Sequence, residues 1–374
     1  GLSDSWHPMK LLTVIGARPQ FIKAAMVSRA LRARPNVHEV LVHTGQHFDE
    51  TMSGVFFEEL GLPRPDYDLG VNGGSHGAMT GRMLVALDPL YEAERPDWTL
   101  VYGDTNSTLA GALASAKMGV PVAHVEAGMR SFDRAMPEEI NRVVTDRLST
   151  LFLAATETAV QQLLREGVAD SAIHRVGDVM YDAVRALGAA AEARAAILPR
   201  LGVAAGSFIL ATVHRAANTD DDACLRHIWQ ALGAAAHATP VVVPLHPRTR
   251  AALERAGLPA AGRGPFIVIE PVGYLDMLVL ERNARLVVTD SGGVQKEAFY
   301  FGVPCLTLRA ETEWTELVAS GWNRLVAPTD EARIQTAIAD ALAAGRPDSR
   351  PEFFGDGHAA ERIVDVLTAQ RRAS

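Results

Sequence analysis

The sequence predicts an α/β protein with parallel sheets covered by helices on both faces and divided into two domains. Three observations carry this. Short apolar strands alternate with helical stretches along nearly the whole chain, the pattern of parallel strands joined by helical crossovers. Glycine and alanine are abundant, whereas aromatics make up only 6%. The length of 374 residues exceeds what one core fills, since single cores stop growing near ~250–300 residues.

Taken in order, Lys10 to Ile15 is the first strand, Gly16 to Gln20 a turn, and Phe21 to Arg32 a helix. Val37 to His43 is a strand, Asp49 to Leu60 helical, Pro63 to Ser75 a polar loop, and Met79 to Arg95 a long helix. Trp98 to Tyr102 is a strand, and Thr105 to Met118 is a helix stopped by Gly119. Strand Val122 to Val125 follows, then a helix opened by Pro137, a residue favoured at the first helical position. Leu151 to Ala154, helix Glu157 to Glu166 and a short strand within 173–180 complete a first series. An Ala-rich helix from Asp182 to Leu198 marks the natural boundary. The second series has strands Phe208 to Val213, Val241 to Leu245, Ile267 to Ile269, Leu286 to Val288, Cys305 to Leu308 and Asn323 to Val326. Its helices are Ala223 to His237, Leu275 to Asn283, one from about Val294, Glu313 to Ser320 and Asp330 to Ala344. The expected domains are residues 9–181 and 182–355, with a final helix in 356–374 that packs on either, the first being favoured. Gly1 to Pro8 carry no pattern and read as a remnant ahead of Met9.

Composition excludes several classes. The formal net charge is −8 and no basic stripe is visible, which argues against general nucleic-acid binding. An anionic substrate is still admitted, because local Arg, Lys and helix starts can capture one. Cys224 and Cys305 stand in apolar surroundings and read as small core residues, without a disulfide framework or metal spacing. No apolar run approaches a membrane span and no signal peptide is visible, so the chain reads as cytoplasmic.

The most informative stretch is Arg285 to Leu306. A buried strand runs into Asp290-Ser291-Gly292-Gly293 and then a helix. Such a turn leaves bare N–H groups at the positive end of a helix dipole, a site for an anion such as phosphate. Glycines there let the anion approach the backbone. Glu297, six residues past Ser291, can accept hydrogen bonds from sugar hydroxyls. A nucleoside diphosphate with its ribose fits the pair; an ordinary capped strand-to-helix turn is the plain alternative.

Polar groups recur at the carboxyl ends of the strands: Arg18, Gln46 and His47, Asp104, Glu126, His214 and Arg215, His246 and Asp290. Ligands of open α/β sheets bind outside those ends. With two sheets facing each other, such groups would line one cleft. Arg18 and Lys23 share one helix start and suit an oxyanion. Asp104 alone reads best as a cap for the helix at Thr105. Glu126, between a buried strand and Gly128, has no capping job. Glu138, Asn141 and Arg142 share a helical face, either as an intrahelical ion pair or as part of a site. Asp104, Glu126 and Glu138 come from three consecutive loops; if they meet, they supply an acid and a base. His214 and His246, near Arg215 and Arg248, look like anion ligands. No HExxH, CxxC, P-loop, GxSxG or GxGxxG motif is present, so neither metal nor nicotinamide is expected. Asp220-Asp221-Asp222 is best explained as first-turn carboxylates of the next helix.

Eight segments occur in a telling order: GARPQFIKAA, TGQHFD, GDTNST, HVEAGMRS, MPEEINR, HRAAN, PLHPR and TDSGGVQKEA. Together, from about Leu11 to Pro328, they resemble the non-hydrolysing bacterial UDP-N-acetylglucosamine 2-epimerases. The resemblance implies two Rossmann-like domains facing a cleft, as in glycogen phosphorylase and other GT-B folds, a homodimer, and no metal or cofactor. It implies UDP binding by Arg18, His214, Ser291, Gly292, Gly293 and Glu297. It implies acid/base work by Asp104, Glu126 and Glu138, supported by Lys23, Arg142 and His214. It matches Gln46, His47, Arg215 and His246 to positions that in many members hold a second, activating UDP-sugar.

The implied reaction removes the C2 proton and expels UDP from C1 to give a 2-acetamidoglucal, then re-adds UDP with protonation from the other face. One departure stands out. Many members carry T-E-R-P-E after the Gly-Gly turn, where this chain has Thr312-Glu313-Trp314-Thr315-Glu316. The segment ETEW also resembles the branch acting on UDP-2,3-diacetamido-glucuronate. TGQHFD carries Phe48-Asp49 where regulated members usually have other polar residues, which weakens the second-site match. A retaining glycosyltransferase of the same architecture, a hydrolysing relative and a silent sugar-nucleotide sensor are the rival readings.

Overall fold

The structure is a computed structural model that describes residues 8–47, 57–58, 61–193 and 196–370. The chain forms two compact units: one takes the residues up to Ala183 and from Glu352 on, the other Val184–Pro351. The divide falls inside one helix, Val179–Ala193.

The first unit is built on a sheet of seven parallel strands: β1 (Met9–Ile15), β2 (Val37–His43), β3 (Tyr67–Asp68), β4 (Trp98–Tyr102), β5 (Val122–Val125), β6 (Leu151–Ala154) and β7 (Ile173–Arg175). Their order is β3-β2-β1-β4-β5-β6-β7. Helices cover both faces, so inner strands are apolar without alternation; Leu11, Leu12, Val14 and Ile15 are all fully buried. The order reverses between β1 and β4. Crossovers leave to opposite sides there, which opens a crevice at the carboxyl ends of those two strands.

The second unit has six strands: β8 (Ile209–Thr212), β9 (Val241–Pro244), β10 (Phe266–Ile269), β11 (Leu286–Thr289), β12 (Cys305–Thr307) and β13 (Asn323–Leu325). Their order is β10-β9-β8-β11-β12-β13, with every pair parallel. The reversal here lies between β8 and β11. Its core is aliphatic, centred on Ile209, Val243, Leu286 and Val288 against Leu225, Leu232 and Ile338.

Several expectations need correction. The first helix begins at Arg18, not Phe21, because the Gln20 side chain turns back and accepts the Gly16 and Ala17 N–H groups at 2.8 and 2.9 Å. The loop from Pro63 contains β3, two residues paired with Val42 and His43 and too short to show a period. The Ala-rich stretch is two helices, Val179–Ala193 and Ile197–Leu201. A helix at Pro247–Arg255 was not foreseen, although Pro247 stands at its favoured first turn. Cys224 is only half-buried and lies beside the Asp221 carboxylate, while Cys305 is buried. The helix expected over Asp49 to Leu60 lies largely outside the described residues.

The last helix, Ala359–Ala369, packs on the helix Arg18–Arg32 within the first unit. Ile363, Val364 and Leu367 are its fully buried face. Its start is held by Asp182, whose two carboxylate oxygens accept the Ala359 and Ala360 N–H groups at 3.0 and 2.8 Å. Losing such a cap costs about 1 kcal/mol. Asp182→Ala should therefore lower the melting temperature of the first unit by about 2–4 °C; an unchanged transition would remove Asp182 as the anchor.

Candidate active site

In the first unit, β4 and β5 are adjacent and parallel, with Tyr102 opposite Val125. Asp104 and Glu126 therefore leave the sheet side by side. Glu126 has a left-handed backbone, φ 67°, although it is not glycine. Such a conformation costs of order ~1–3 kcal/mol and persists only when the surroundings enforce it. The Glu126 N–H donates to Leu153 O at 3.0 Å. Its carboxylate forms an ion pair with Lys23, and the two side chains are only 10% and 9% exposed. The Lys23 ammonium also lies against Gly103, the residue before Asp104.

Asp104 is gripped by Arg142 from two nitrogens, Nε at 3.1 Å and Nη2 at 2.7 Å. The capping role expected of Asp104 belongs to Thr105, whose hydroxyl accepts the Thr108 N–H. The intrahelical partner of Arg142 is Glu139, at 2.8 Å, not Glu138. Glu139 was missed. It also accepts the Ser131 and Phe132 N–H groups at 2.9 and 3.2 Å, pinning the loop that follows Glu126. The signal was present as Glu139 and Arg142 three residues apart. Glu138 stands half-buried in the first turn of Pro137–Leu148, and no hydrogen bond or ion pair reaches its side chain among the described residues. Asn141 donates to Asp104 O at 2.9 Å, joining that helix to the Asp104 turn.

Of the groups after β1 and β2, Arg18 lies in the first turn of its helix, and its N–H donates to His47 Nδ1 at 3.2 Å. Gln46 Oε1 accepts from the Ser107 hydroxyl at 2.6 Å and the Ser107 N–H at 3.1 Å. Both side chains are thus bound to helix starts of their own unit.

In the second unit the Ser291 hydroxyl caps the helix Gly292–Tyr300 by accepting the Val294 N–H. The helix thus begins two residues earlier than expected, and Gly292 and Gly293 are its first turn, where N–H groups lack carbonyl partners. Gly292 has a second reason to lack a side chain: a Cβ there would run into the Glu313 carboxylate. Glu313 is buried and paired with Arg309 at 3.1 Å. Asp290 is fully buried. It accepts the His214 and Arg215 N–H groups at 3.1 and 2.9 Å and the Asn218 amide at 3.0 Å. It thereby ties the loop after β8 to the turn after β11. The His214 ring is half-exposed, 3.3 Å from Asp290 through Nδ1, and its centroid is 5.6 Å from that of His246.

His246 caps the helix Pro247–Arg255 by accepting the Arg248 N–H at 3.1 Å. Arg248, expected near the two histidines, is paired with Asp220 at 2.9 Å. The three aspartates divide their work: Asp220 holds Arg248, Asp221 caps the helix Asp222–Ala235, and Asp222 pairs with Arg255. Lys296 lies 3.9 Å from the centroid of the Trp314 ring. Among the described residues no group of three or more His, Cys, Asp and Glu side chains is arranged to hold a metal ion, and no helix is long and apolar enough to cross a membrane.

Glu297 is buried in the second turn of the Gly292 helix, and Glu281 comes up against it from the helix Tyr274–Asn283. Burial first, and the Glu297 carboxylate second, push the Glu281 acid well above the usual carboxylate range. The folded unit then keeps a proton that the unfolded chain releases above pH 4.5. This group's contribution to stability therefore falls as pH rises from there. Glu281→Gln has no proton to lose. Its melting temperature relative to wild type should climb between pH 5 and pH 8, and a difference that is constant with pH would contradict a Glu281 acid held above its usual range.

Residues 29–368 match the family model described as UDP-N-acetylglucosamine 2-epimerase. A UDP-2,3-diacetamido-2,3-dideoxy-D-glucuronate 2-epimerase of Pseudomonas aeruginosa is 50% identical over 362 residues, 96% of this chain and 99% of that protein. Among solved structures, the Methanocaldococcus jannaschii UDP-GlcNAc 2-epimerase in complex with UDP-GlcNAc and UDP is 41% identical, with TM-score 0.90 over 96% of this chain and 100% of that one. The Neisseria meningitidis UDP-GlcNAc 2-epimerase bound to UDP-GlcNAc is 29% identical, with TM-score 0.87 over 96% of this chain and 100% of that one. This extent of likeness, in sequence and in fold, places the chain in the UDP-N-acetylglucosamine 2-epimerase family.

Proposed function

We propose that the protein is a non-hydrolysing carbohydrate isomerase that inverts C2 of a UDP-N-acetyl-hexosamine, converting UDP-N-acetylglucosamine to UDP-N-acetylmannosamine. The observation that carries this is the pair of carboxylates, Asp104 and Glu126, on neighbouring strand ends, each held by its own cation. A paired carboxylate beside a sugar carbon can take a proton or return one. In the forward direction a carboxylate takes the C2 proton. The C–H electron pair forms the C1–C2 double bond, and the C1–O bond breaks with its electrons leaving on UDP. Re-addition of UDP and protonation from the opposite face give the epimer.

The roles divide by unit. In the first, Asp104, Glu126 and Glu138 serve the proton transfers, with Lys23 and Arg142 pairing with and orienting two of these acids. In the second, His214, Ser291 and the Gly292 and Gly293 N–H groups stabilise the departing diphosphate, and Glu297 accepts the ribose hydroxyls. Arg18, by residue type and helix-start position, is assigned to the anion as well. A second, activating UDP-sugar would engage Gln46, His47, Arg215 and His246. The compartment proposed is the cytoplasm.

A second reading has its own support. The 50% identity to the diacetamido-glucuronate enzyme, and Trp314 over Lys296 where many N-acetylglucosamine enzymes place an arginine, favour a substrate modified at C3 and C6. Both substrates belong in one experiment. Incubation in D2O should place deuterium at C2 and give a gluco/manno mixture with whichever sugar fits. Free sugar plus UDP, or turnover only with an added acceptor, would overturn epimerisation. Glu126→Gln should keep UDP affinity and lower C2 exchange by about 10²–10⁴-fold; exchange at the wild-type rate would remove Glu126 from the reaction.

We also propose a homodimer. Val85, Met118, Ile140 and Val144 are exposed apolar residues on or at the ends of three adjoining helices, with Val85 76% exposed. Light scattering should give twice the chain mass for wild type and a shift toward one chain for Val85→Glu; a wild-type monomer would refute it.

A further inference from the structure

The strained turn that carries Glu126 and the turn that carries Asp104 are tied to one buried cluster that the reaction scheme leaves unused. His124 sits on β5, two residues before Glu126, and is fully buried. Its Nδ1 meets Asp146 Oδ1 at 2.6 Å, and its Nε2 meets Gly103 O at 2.8 Å. Gly103 O can only accept, so Nε2 donates to it, and Nδ1 faces the Asp146 carboxylate. Asp146 lies on the helix Pro137–Leu148 and is 4% exposed. Its other oxygen accepts the Gly128 N–H at 2.9 Å and pairs with Arg130 at 2.8 Å. Arg130 in turn donates to Met129 O at 2.6 Å and grips Glu166 through Nε and Nη2 at 2.9 and 2.8 Å.

One chain of contacts therefore runs from Gly103 O through His124 and Asp146 to Gly128 N. Gly103 precedes Asp104. Gly128 closes the Glu126 turn with φ 81°, and a Cβ on it would run into Ala159 O. Burial alone would raise the Asp146 acid, but His124, Arg130 and the Gly128 N–H outweigh it and hold that group below the usual carboxylate range. A buried charged cluster seldom gains stability over a well-packed apolar one. What this one offers is a fixed distance between two turns.

We infer that Asp146 is a positioning residue: through His124 and Gly128 it sets the separation and direction of the Asp104 and Glu126 carboxylates. This rests on the roles proposed for those two carboxylates. Misplacement of reacting groups by about 1 Å costs about 10²-fold in rate, while nucleotide affinity lies with other residues.

The test uses the full-length protein with Asp146→Asn and, separately, His124→Gln. C2 deuterium exchange, KM, UDP affinity by calorimetry and melting temperature are measured for each. The expected result is a kcat lower by about 10²-fold, KM within about threefold and UDP affinity within about twofold of wild type, in folded protein. A folded variant with near wild-type kcat, or one whose apparent kcat falls only in proportion to loss of folded protein, overturns the inference. If Asp146→Asn fails to fold, His124→Gln gives the same kcat-against-KM reading. Should neither fold, nitrogen-15 spectra of histidine-labelled wild type decide: a buried histidine with a hydrogen-bonded Nε2–H supports the chain of contacts, and an Nε2 that carries no hydrogen on that residue overturns it. A wild type without C2 exchange would defeat the proposed function itself, and the inference with it, whereas an active wild type with indifferent variants defeats the inference alone.

Discussion

The ion pair between Lys23 and Glu126 is the constraint on which the chemistry proposed for the first unit depends. Both side chains are nearly out of solvent, where an unpaired charge costs several kcal/mol. Glu126 adds a left-handed backbone that a non-glycine residue adopts at a cost. Together the pair and the turn give a carboxylate that is aimed and largely shielded from water. Lys23 comes from the helix after β1 and Glu126 from the end of β5, so the pair exists only because the β1–β4–β5 order brings those strand ends close.

The second unit solves the opposite problem. It exposes donors where the first shields an acceptor. Asp290, fully buried, ties the His214 loop to the Ser291 turn, so that the ring of His214 and the start of the Gly292 helix are fixed relative to each other. Glu313 against Gly292 leaves no room for a side chain at that start. A fully buried carboxylate thus orders backbone N–H groups, with the partly exposed His214 ring beside it.

Much of this was legible in the chain. Strand existence followed from apolar runs, and Glu126, Asp104, His214 and the Ser291 turn do stand at strand ends, as the pattern of polar residues after apolar runs expects. Parallel strands deliver their last side chains to one edge whatever lies between. The failures have a common cause. Glu139, Asp146, Glu281 and Glu313 sit inside helices or short loops, where local pattern assigns a carboxylate to solvent. Their partners lie at distances set by packing, such as Gly103 O and Asp146 meeting on His124 from 21 and 22 residues away. The helix at Pro247–Arg255 and the strand Tyr67–Asp68 were lost for a simpler reason: the first has little apolar face and the second is only two residues long.

If Lys23 is what pairs with and orients Glu126, then Lys23→Met is the sharpest probe, because it leaves every carboxylate in place. C2 deuterium exchange on the accepted UDP-sugar should drop by at least about 10²-fold in protein that still folds and still binds UDP. Exchange by Lys23→Met at the wild-type rate would contradict the account, since the carboxylate chemistry would then be indifferent to its buried cation.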